Sequence, residues 1–348
     1  MRRAAAASLL LSGAAAAAPG CSEYYGNETS APARWCREGD YFWFRSPTGN
    51  NNGSAIPLFY HCSGDPASAR VPVLFAHGYP TSSFDLADVV AALAPELAAR
   101  ELSVCAVDMA GFGFSAKPRA PWTYSIFDHA AALVDFATRV VPHERFALWT
   151  HDEGDSVGLR LLAQWLDATP PARPFSVTHH LVMNGNVYLP LAKLTPGQQL
   201  LRSNRTGPVL ESVLPSALLA EGLAHSAYSP PLSRARAEEL RGIFDFEDGT
   251  AVMHETIHYL DERAEHEDAW LDAWSRMPVA CSLLWGEMDE VAPVAVADFV
   301  WQRVLANGTR PAAPATYATL PPANHYLHVD HARDVAAWVR RELQLQPV

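Results

Sequence analysis

The sequence predicts an α/β protein built on a mostly parallel, doubly wound sheet, with a helical lid inserted into it. Over most of the chain, short apolar runs of strand length alternate with segments of helical periodicity, the pattern of a parallel sheet covered by helices. Between residues 190 and 275 the strand-like runs stop, and helical periodicity with clustered charges takes their place. The alternation then resumes and continues to the end of the chain.

The predicted elements follow one another in a regular order. The first two strands, 41–46 and 55–62, are separated by an Asn-Gly turn signal and are predicted to pair as an antiparallel hairpin at the sheet edge. Further buried strands are predicted at 71–78, 102–109, 146–150, 179–187, 279–289 and 315–325. Helices are predicted at 83–99, 125–140, 157–166, 293–306 and from residue 330 onwards.

These elements divide the chain into several parts. Residues 41–189 and 276–348 are predicted to form the α/β core, and residues 190–275 the lid. Residues 21–40 contain Ser, Asn, Gly and Pro and are predicted to be a loose leader. Residues 1–20 carry two arginines, an apolar run and alanine-rich cleavage options, which predicts a signal peptide. A signal anchor or an organellar transit segment is the alternative.

The sequons and cysteines favour an oxidising compartment. Four N-x-S/T sequons, at Asn27, Asn52, Asn204 and Asn307, predict a glycoprotein of the secretory pathway, either secreted or held in the endoplasmic reticulum. Of the five cysteines, two in apolar runs, Cys105 and Cys281, are predicted to be buried thiols. One pair among the other three could form a disulfide, and the sequence leaves open which pair: Cys21, Cys36 and Cys62.

The net charge excludes some partners. The formal net charge of −12 argues against a surface for nucleic acid or for anionic membranes. Membrane association is therefore expected only through an uncleaved N-terminal segment. No cofactor is predicted, and the expected partner is a small hydrophobic electrophilic substrate.

The segment 145–158 carries the strongest sign of chemistry. A short apolar strand ends directly before Asp152, Gly154 follows two residues later, and a helical pattern comes next. Strand, sharp turn and helix with small residues at the turn is the arrangement of a nucleophile elbow. The simplest alternative is that Asp152 only caps the helix, as aspartate often does.

The same segment offers a second nucleophile. Residues 154–158 are a literal GxSxG, which would make Ser156 the nucleophile of a serine esterase. That register would place Asp152 and Glu153 inside the sheet, where unpaired carboxylates are costly. The register therefore favours Asp152.

A histidine and a second acid are predicted to complete the site. His325 is the candidate base, preferred over His328 and His331 because it is expected to end a strand. Asp289, also expected at a strand end, would orient His325, with its neighbours Glu287 and Glu290 as rivals. The order nucleophile, acid, histidine is that of the α/β-hydrolase fold. The ends of parallel strands meet at one sheet edge, so these side chains are expected to converge.

An aspartate nucleophile implies a two-step route. Asp152 would attack an electrophilic carbon to form an alkyl-enzyme ester, and His325 would activate the water that cleaves it. The backbone N–H groups of Tyr79 and Glu153 would stabilise the oxyanion. An epoxide also needs a proton for its opening oxygen, for which Tyr259 and Tyr228 of the lid are candidates, although ordinary packing is the preferred explanation for each of them. Glu153 would repel a halide, which favours epoxides over haloalkanes.

The lid contains one further motif. Residues 254–258 are a literal HExxH, which on a helix places His254 and His258 on one face for zinc, with Glu255 as base. No third ligand stands at the expected spacing, so a polar lid helix is the preferred interpretation and no metal is predicted.

These residues together resemble a known family. From about residue 70 to its end, the chain resembles the epoxide hydrolase and haloalkane dehalogenase branch of the α/β-hydrolase fold, and within it the mesoderm-specific transcript proteins. The matching motifs are HGYPTSSFD (77–85), DMAGFGFSAKPRAPWTYSIFDHA (108–130), THDEGDSVG (150–158), WGEMDEVAP (285–293) and NHYLHVD (324–330). By that resemblance Asp152 is similar to the family nucleophile, Asp289 to the acid and His325 to the base, with Tyr79 and Glu153 at the oxyanion positions. The family more often has an aromatic residue where this chain has Glu153.

The leading hypothesis is an epoxide hydrolase-like enzyme that uses Asp152. A serine esterase or lipase that uses Ser156 is the first alternative. A catalytically idle member of the fold that acts as a binding module is the second.

Overall fold

Eight strands form one sheet in the computed structural model, which describes residues 20–141, 144–168, 175–306 and 313–346. The strands are β1 Asp40–Arg45, β2 Ala55–Ser63, β3 Val71–Ala76, β4 Leu102–Val107, β5 Arg145–His151, β6 Ser176–Met183, β7 Ala280–Gly286 and β8 Ala315–Leu320. Their order in the sheet is β1-β2-β4-β3-β5-β6-β7-β8. β1 and β2 form the predicted antiparallel hairpin, β2 runs antiparallel to β4, and the remaining pairs are parallel.

Helices connect the strands and cover both faces of the sheet. Outside the lid they are α1 Cys21–Tyr25, α2 Ala31–Glu38, α3 Ala87–Ala92, α4 Ala94–Ala98, α5 Ile126–Asp135 and α6 Glu153–Asp167, followed after the lid by α13 Val294–Val300, α14 Leu327–Asp330 and α15 Ala332–Glu342. π-Helical turns at Phe136–Val140 and Trp301–Leu305 extend α5 and α13, and 3₁₀ turns lie at Gly49–Asn51 and Ser83–Leu86. The predicted doubly wound α/β core is thereby confirmed.

Alternate residues of β5 pack on opposite faces of the sheet. Phe146 and Leu148 belong to the apolar cluster formed with α5, α6, α12 (Tyr259–Ser275, a lid helix) and α13, whereas Ala147 and Trp149 belong to the cluster formed with α3 and α15. Trp149 has no solvent exposure. The sheet is thus buried on both faces, which explains why its central strands are continuous apolar runs.

The inserted lid is helical, as predicted. Its α-helices are α7 Pro196–Arg202, α8 Gly207–Val213, α9 Ser216–Ser226, α10 Arg234–Asp245, α11 Met253–Thr256 and α12 Tyr259–Ser275, with 3₁₀ turns at Leu189–Leu191 and Phe246–Val252. Local signals set the helix starts: Thr195 and Gln198 form a capping box on α7, and the Ser233 side chain caps α10. On α10 the buried side chains recur at helical spacing and form the face turned to the protein: Ala237, Leu240, Ile243 and Phe244.

Residues 21–40, predicted to be a loose leader, form helices α1 and α2 instead. A disulfide between Cys21 and Cys36, with 5.6 Å between their Cα atoms, joins the two helices. The Trp35 ring stacks on His61 of β2 at 3.6 Å between ring centroids. The prediction of a loose leader was wrong because it rested on the polar residues alone. The disulfide and the stacking of Trp35 on His61 hold these residues in a defined structure.

A second disulfide corrects another prediction. Cys105 is bonded to Cys62 and is not a buried thiol. The two cysteines lie opposite each other in the β2–β4 pairing, which the sequence alone does not indicate. Cys281 is buried, as predicted.

Part of the N-terminal prediction falls outside the described residues. The signal segment, apart from Gly20, and the sequon at Asn307 lie there. The other three sequon asparagines are exposed: Asn27, Asn52 and Asn204. Every helix in the described part of the chain is too short or too polar to span a lipid bilayer.

Candidate active site

The candidate site lies where the winding of the sheet reverses. β3 sits between β4 and β5, so the chain leaves β3 towards one edge of the sheet and returns to its other side with β5. The loops that follow β3 and β5 therefore separate at their carboxyl ends and leave a crevice, where ligands of such sheets bind. Tyr79 lies in the first loop and Asp152 in the second.

Asp152 occupies a strained turn between β5 and α6. Its backbone has φ 50° and ψ −112°, a conformation that side-chain-bearing residues rarely adopt. Two glycines permit the turn: a Cβ on Gly154 would lie 2.2 Å from the carbonyl oxygen of Ala76, and one on Gly78 would lie 2.7 Å from the Cβ of Asp152. The geometry is that of a nucleophile elbow with Asp152 at its tip.

The two oxygens of the Asp152 carboxylate have different surroundings. The backbone N–H of Tyr79 donates to Oδ2 at 3.0 Å. Oδ1 is buried and has no hydrogen-bond partner among the described residues. Burial raises the pKa of this carboxyl, and the charges of His325 and Arg263 oppose the rise. One oxygen is thus held by a backbone donor, and the other is available for attack.

His325 and Asp289 form a buried pair. Nδ1 of His325 lies 2.8 Å from Oδ2 of Asp289, and both side chains are almost completely buried. Oδ1 of Asp289 accepts the backbone N–H groups of Val291 and Ala292, each at 2.8 Å. The Nδ2 group of Asn184 donates to Oδ2 at 2.6 Å. These bonds fix the carboxylate, which in turn orients the imidazole ring.

Opposing effects set the proton affinity of His325. Burial alone lowers its pKa, but the charge and the hydrogen bond of Asp289, with the charges of Asp152 and Asp155, outweigh burial and raise the pKa to about 9. Asp152 and His325 each shift the other's pKa, so the two side chains are electrostatic neighbours.

Asp289 and His325 stand in loops, not at the strand ends where they were predicted. β7 ends at Gly286, and β8 ends at Leu320. Pro321 and Pro322 follow β8 and lack the N–H groups that a parallel strand would need. The sequence pattern therefore predicted that both strands end later than they do, although it placed Asp289 and His325 at the correct edge of the sheet.

The rival acids and histidines have other surroundings. Glu287 and Glu290 are exposed. His328 is buried with its Nε2 3.8 Å from Asp85, and the Nε2 of His331 lies 2.9 Å from the carbonyl oxygen of Ser229. None of these contacts involves Asp152.

Ser156, the alternative nucleophile, lies one turn into α6 and contacts the lid. Its hydroxyl accepts a hydrogen bond from Nε of Arg263, a residue of α12 that is 1% exposed. The same guanidinium donates to the carbonyl oxygens of Asn186 at 2.7 Å and of Asp152 at 3.1 Å. Arg263 therefore connects the lid to the turn that carries Asp152, and it donates a hydrogen bond to the Ser156 hydroxyl.

The two lid tyrosines lie in different places. Tyr259 is buried beside Tyr79, with 5.8 Å between ring centroids, and Arg263 lies over its ring. Burial raises the pKa of Tyr259, and the Asp152 charge raises it further. Tyr228 instead stacks on Tyr326 at 4.8 Å. The structure thus brings Tyr259, but not Tyr228, towards Asp152.

Tyr326 holds the loop that contains Tyr79, and His129 contacts the side chain of Glu153, the residue after the nucleophile. The hydroxyl of Tyr326 donates to the carbonyl oxygen of Tyr79 at 2.9 Å, which helps to hold that peptide. Glu153 begins α6, and its side chain is fully buried with Oε1 3.1 Å from Nδ1 of His129.

The HExxH motif is divided between two helices. α11 ends at Thr256, and His258 precedes α12. Nδ1 of His254 lies 2.7 Å from the carbonyl oxygen of Leu201, and Nδ1 of His258 contacts the carboxylate of Asp261. Within the described ranges, no group of three His, Cys, Asp or Glu side chains is arranged to hold a metal ion.

Five residues of the site were not predicted from the sequence. Asn184 follows β6 at the active edge, so the strand-end rule indicates it in retrospect. Asn186 lies two residues further along the same loop and carries the same signal, and Tyr326 directly follows His325. His129 and Arg263 carry no comparable signal, because their burial depends on how α5 and the lid pack on α6.

Comparisons with known proteins agree with this fold. A profile of the alpha/beta hydrolase family matches residues 73–338, and the chain belongs to this family. It is 34% identical to the LipZ protein of Mycobacterium tuberculosis over 261 residues, which are 74% of this chain and 83% of LipZ. It is 25% identical to the human mesoderm-specific transcript homolog protein over 263 residues, 74% of this chain and 73% of that protein.

A solved structure gives the same result for the fold. The epoxide hydrolase CorEH superimposes with a TM-score of 0.64 at 14% identity, covering 88% of this chain and 99% of that one. The chain is therefore a hydrolase of the α/β family, and the resemblance inferred from the motifs is confirmed.

Proposed function

We propose that the protein hydrolyses epoxides through a covalent ester on Asp152. The observation that carries the proposal is the asymmetric Asp152 carboxylate, with Oδ2 bonded to the Tyr79 N–H and Oδ1 without a partner. A carboxylate that only capped α6 would bond to backbone N–H groups of that helix, and no such side-chain bond is present at Asp152.

In the first step, Oδ1 of Asp152 attacks a ring carbon, and the carbon–oxygen bond of the epoxide breaks. The released oxygen takes the hydroxyl proton of Tyr259, whose ring lies near the nucleophile. A tyrosine with a raised pKa holds its proton until a strongly basic alkoxide develops.

Before the second step, His325, which is protonated in the free protein, passes its proton to the Tyr259 phenolate. The neutral imidazole then removes a proton from water, and the water oxygen attacks Cγ of the Asp152 ester. Negative charge then develops on Oδ2, the oxygen that the Tyr79 N–H already holds. Collapse of this intermediate releases a diol and restores the carboxylate. The hydroxyl proton of the intermediate passes to the departing alkoxide, and His325 keeps the proton that it took from water, so the cycle ends in its starting state.

Esterification adjusts His325 for its role in that second step. The charge of Asp152 contributes to the raised pKa of His325 in the free protein. The ester is neutral, so this contribution disappears once the intermediate forms. The pKa of His325 then falls, and more of the imidazole is in the neutral form that a general base requires.

Two variants and a trapped intermediate test the proposal. Asp152→Asn removes the nucleophile and is expected to abolish turnover of small epoxides, whereas Ser156→Ala removes only an acceptor for Arg263 and is expected to retain most activity. Mass spectrometry of a tryptic digest after rapid quenching should find the substrate mass added to the peptide that contains Asp152.

The same experiment separates the alternatives. Loss of activity on p-nitrophenyl esters in Ser156→Ala, with Asp152→Asn active, would identify a serine esterase. No activity on epoxides, haloalkanes or esters by the folded protein would favour a binding module.

We also propose that the protein acts in the secretory pathway. Two disulfides, Cys21–Cys36 and Cys62–Cys105, and three exposed sequons support an oxidising, glycosylating compartment. Expression in a eukaryotic host with and without an N-glycosidase tests this, because glycosylation would add a mass that the enzyme removes.

A further inference from the structure

The carboxylate of Glu153, next to the nucleophile, has one oxygen without a partner. Oε1 lies 3.1 Å from Nδ1 of His129, while Oε2 is buried without a hydrogen-bond partner among the described residues. Nε2 of His129 is likewise buried without one. The pair thus has unused hydrogen-bonding capacity in a place closed to bulk solvent.

This pair belongs to the site that contains Asp152. Burial and then the Glu153 charge are the largest causes that raise the pKa of Tyr79, and Glu153 also raises the pKa of Tyr259. The ring of His129 packs against Phe112, which in turn packs against Tyr79. Glu153 therefore acts on both tyrosines that surround the nucleophile.

The unpartnered atoms around the nucleophile are mostly acceptors. Besides Glu153 Oε2, the buried Oδ1 atoms of Asp152 and Asn186 have no donor among the described residues. A buried acceptor without a donor costs about 1–3 kcal/mol, and more when it is charged. An apolar substrate would leave the Glu153 oxygen unpaired, whereas a substrate that supplies an O–H or N–H group would satisfy it.

We propose that Glu153, positioned by His129, selects electrophiles that carry a hydrogen-bond donor beside the reacting carbon, such as hydroxyl-bearing epoxides. This inference rests on the proposed function, because it concerns the substrate of the same site. It replaces the expectation of a purely hydrophobic substrate with a polar one.

A purely structural pair between α5 and α6 is the competing explanation. In that case the loss of Glu153 would weaken the turnover of all substrates by the same factor. A specificity-determining residue instead changes the ratio between two substrates that differ only in the donor, and this ratio is the measurement that separates the two explanations.

The test uses a matched pair of epoxides, 3-phenylglycidol and 2-ethyl-3-phenyloxirane, in which a hydroxyl of the first is replaced by a methyl group. The unmodified protein is expected to favour 3-phenylglycidol in kcat/KM by at least about tenfold, as for a hydrogen bond to a charged group. Glu153→Leu should reduce that ratio to near one, and Glu153→Gln should retain part of it.

Control variants distinguish a change in substrate preference from a general effect of substitution. Glu221→Gln, at an exposed position of α9, should leave the ratio unchanged. Replacing both partners, Glu153→Leu with His129→Phe, removes two buried polar groups together and avoids leaving one of them unpaired. A ratio that stays at tenfold in either Glu153→Leu variant, or a ratio near one in the unmodified protein, overturns the inference.

Binding separates this inference from the proposed chemistry. In Asp152→Asn, which cannot form the ester, calorimetry measures the Kd of both epoxides without turnover. Tighter binding of 3-phenylglycidol, lost in Asp152→Asn/Glu153→Leu, supports the inference even if no ester on Asp152 is trapped. Equal Kd values overturn it even if the ester is found.

Discussion

At the level of single residues, the protonation of His325 depends on whether Asp152 is charged. Asp289 and Asp152 both favour the imidazolium, and together with Asp155 they outweigh the effect of burial. The enzyme therefore holds a charged histidine beside a charged nucleophile before reaction. That pairing stabilises the Asp152 carboxylate, whose own pKa burial would raise further.

Neutralising Asp152 should lower the pKa of His325. In the unmodified protein, NMR titration of the His325 ring should give a pKa near 9. In Asp152→Asn, where an uncharged amide imitates the ester, the value should be lower, because one of the charges that raises it is absent. Asp268→Asn, at an exposed position of α12, is the control and should leave the titration unchanged. Equal values in all three proteins would contradict the adjustment of the base by esterification.

The same titration predicts how stability changes with pH. The pKa of His325 is raised from 6.5 to about 9 on folding, so the folded state binds the proton more tightly than the unfolded state. The resulting stabilisation is complete below pH 6.5 and is lost as the pH rises from there through 9. Urea unfolding should show a larger loss of stability over this window in the unmodified protein than in His325→Gln. Parallel curves for the two proteins would show that His325 does not titrate as described.

Arg263 connects two elements, the lid helix α12 and the elbow before α6. Its guanidinium donates to two carbonyl oxygens and one hydroxyl, and lysine cannot reproduce that planar set of donors. Arg263→Lys should therefore lower the free energy of unfolding by about 2 kcal/mol or more. Arg276→Lys, at the exposed end of the same helix, should change it by no more than about 0.5 kcal/mol. Similar effects of both substitutions in chemical denaturation would exclude the anchoring role.

The Cys62–Cys105 bridge joins strands β2 and β4 across a sequence separation of 43 residues. Closing a loop of that length restricts the unfolded chain, which stabilises the fold by about 2–4 kcal/mol. The double variant Cys62→Ala/Cys105→Ala should accordingly show a lower Tm by calorimetry under non-reducing conditions. A Tm equal to that of the unmodified protein would mean that the pairing of the strands suffices without the bridge.

The periodicity of the sequence is what predicts the strands and helices. The strands alternate with helices and their order along the chain is regular, so the core and the hairpin were predicted within a few residues. The bounds were less accurate where polar loop residues follow a strand, as at Asp289 and His325. Strand neighbours such as β2 and β4 are set by the whole sheet, and for that reason the partner of Cys105 was not predictable.

Across the whole molecule, the part of the site contributed by the core was predictable and the part contributed by packing was not. The strand-end rule and the motifs indicated Asp152, Asp289, His325 and Tyr79. Arg263 reaches the elbow only because the lid folds over it, and His129 meets Glu153 only because α5 packs on α6. Contacts of this kind depend on tertiary packing, which no local pattern encodes.

The N-terminal helices connect the core to the lid. On the core side, Nε1 of Trp35 donates to the hydroxyl of Ser83 at 3.1 Å. On the lid side, the hydroxyl of Tyr24 donates to the carbonyl oxygen of Gly242 at 3.0 Å, and its ring packs edge-to-face on Phe246 at 5.0 Å. The Cys21–Cys36 disulfide joins the two sides, so these helices are expected to restrain α10 of the lid.

Loss of that restraint should loosen the lid without unfolding the core. Tyr24→Ala removes both contacts with the lid, and hydrogen–deuterium exchange in α10 should therefore become faster, while exchange in β5 stays slow. Trp43→Ala, at a similarly exposed aromatic residue on β1, is the matched control and should leave α10 unchanged. Because Asp152 is 3% exposed beneath the lid, faster opening should also change kcat/KM for bulky epoxides more than for small ones. Unchanged exchange in α10 would show that the lid is held by its own packing on the core.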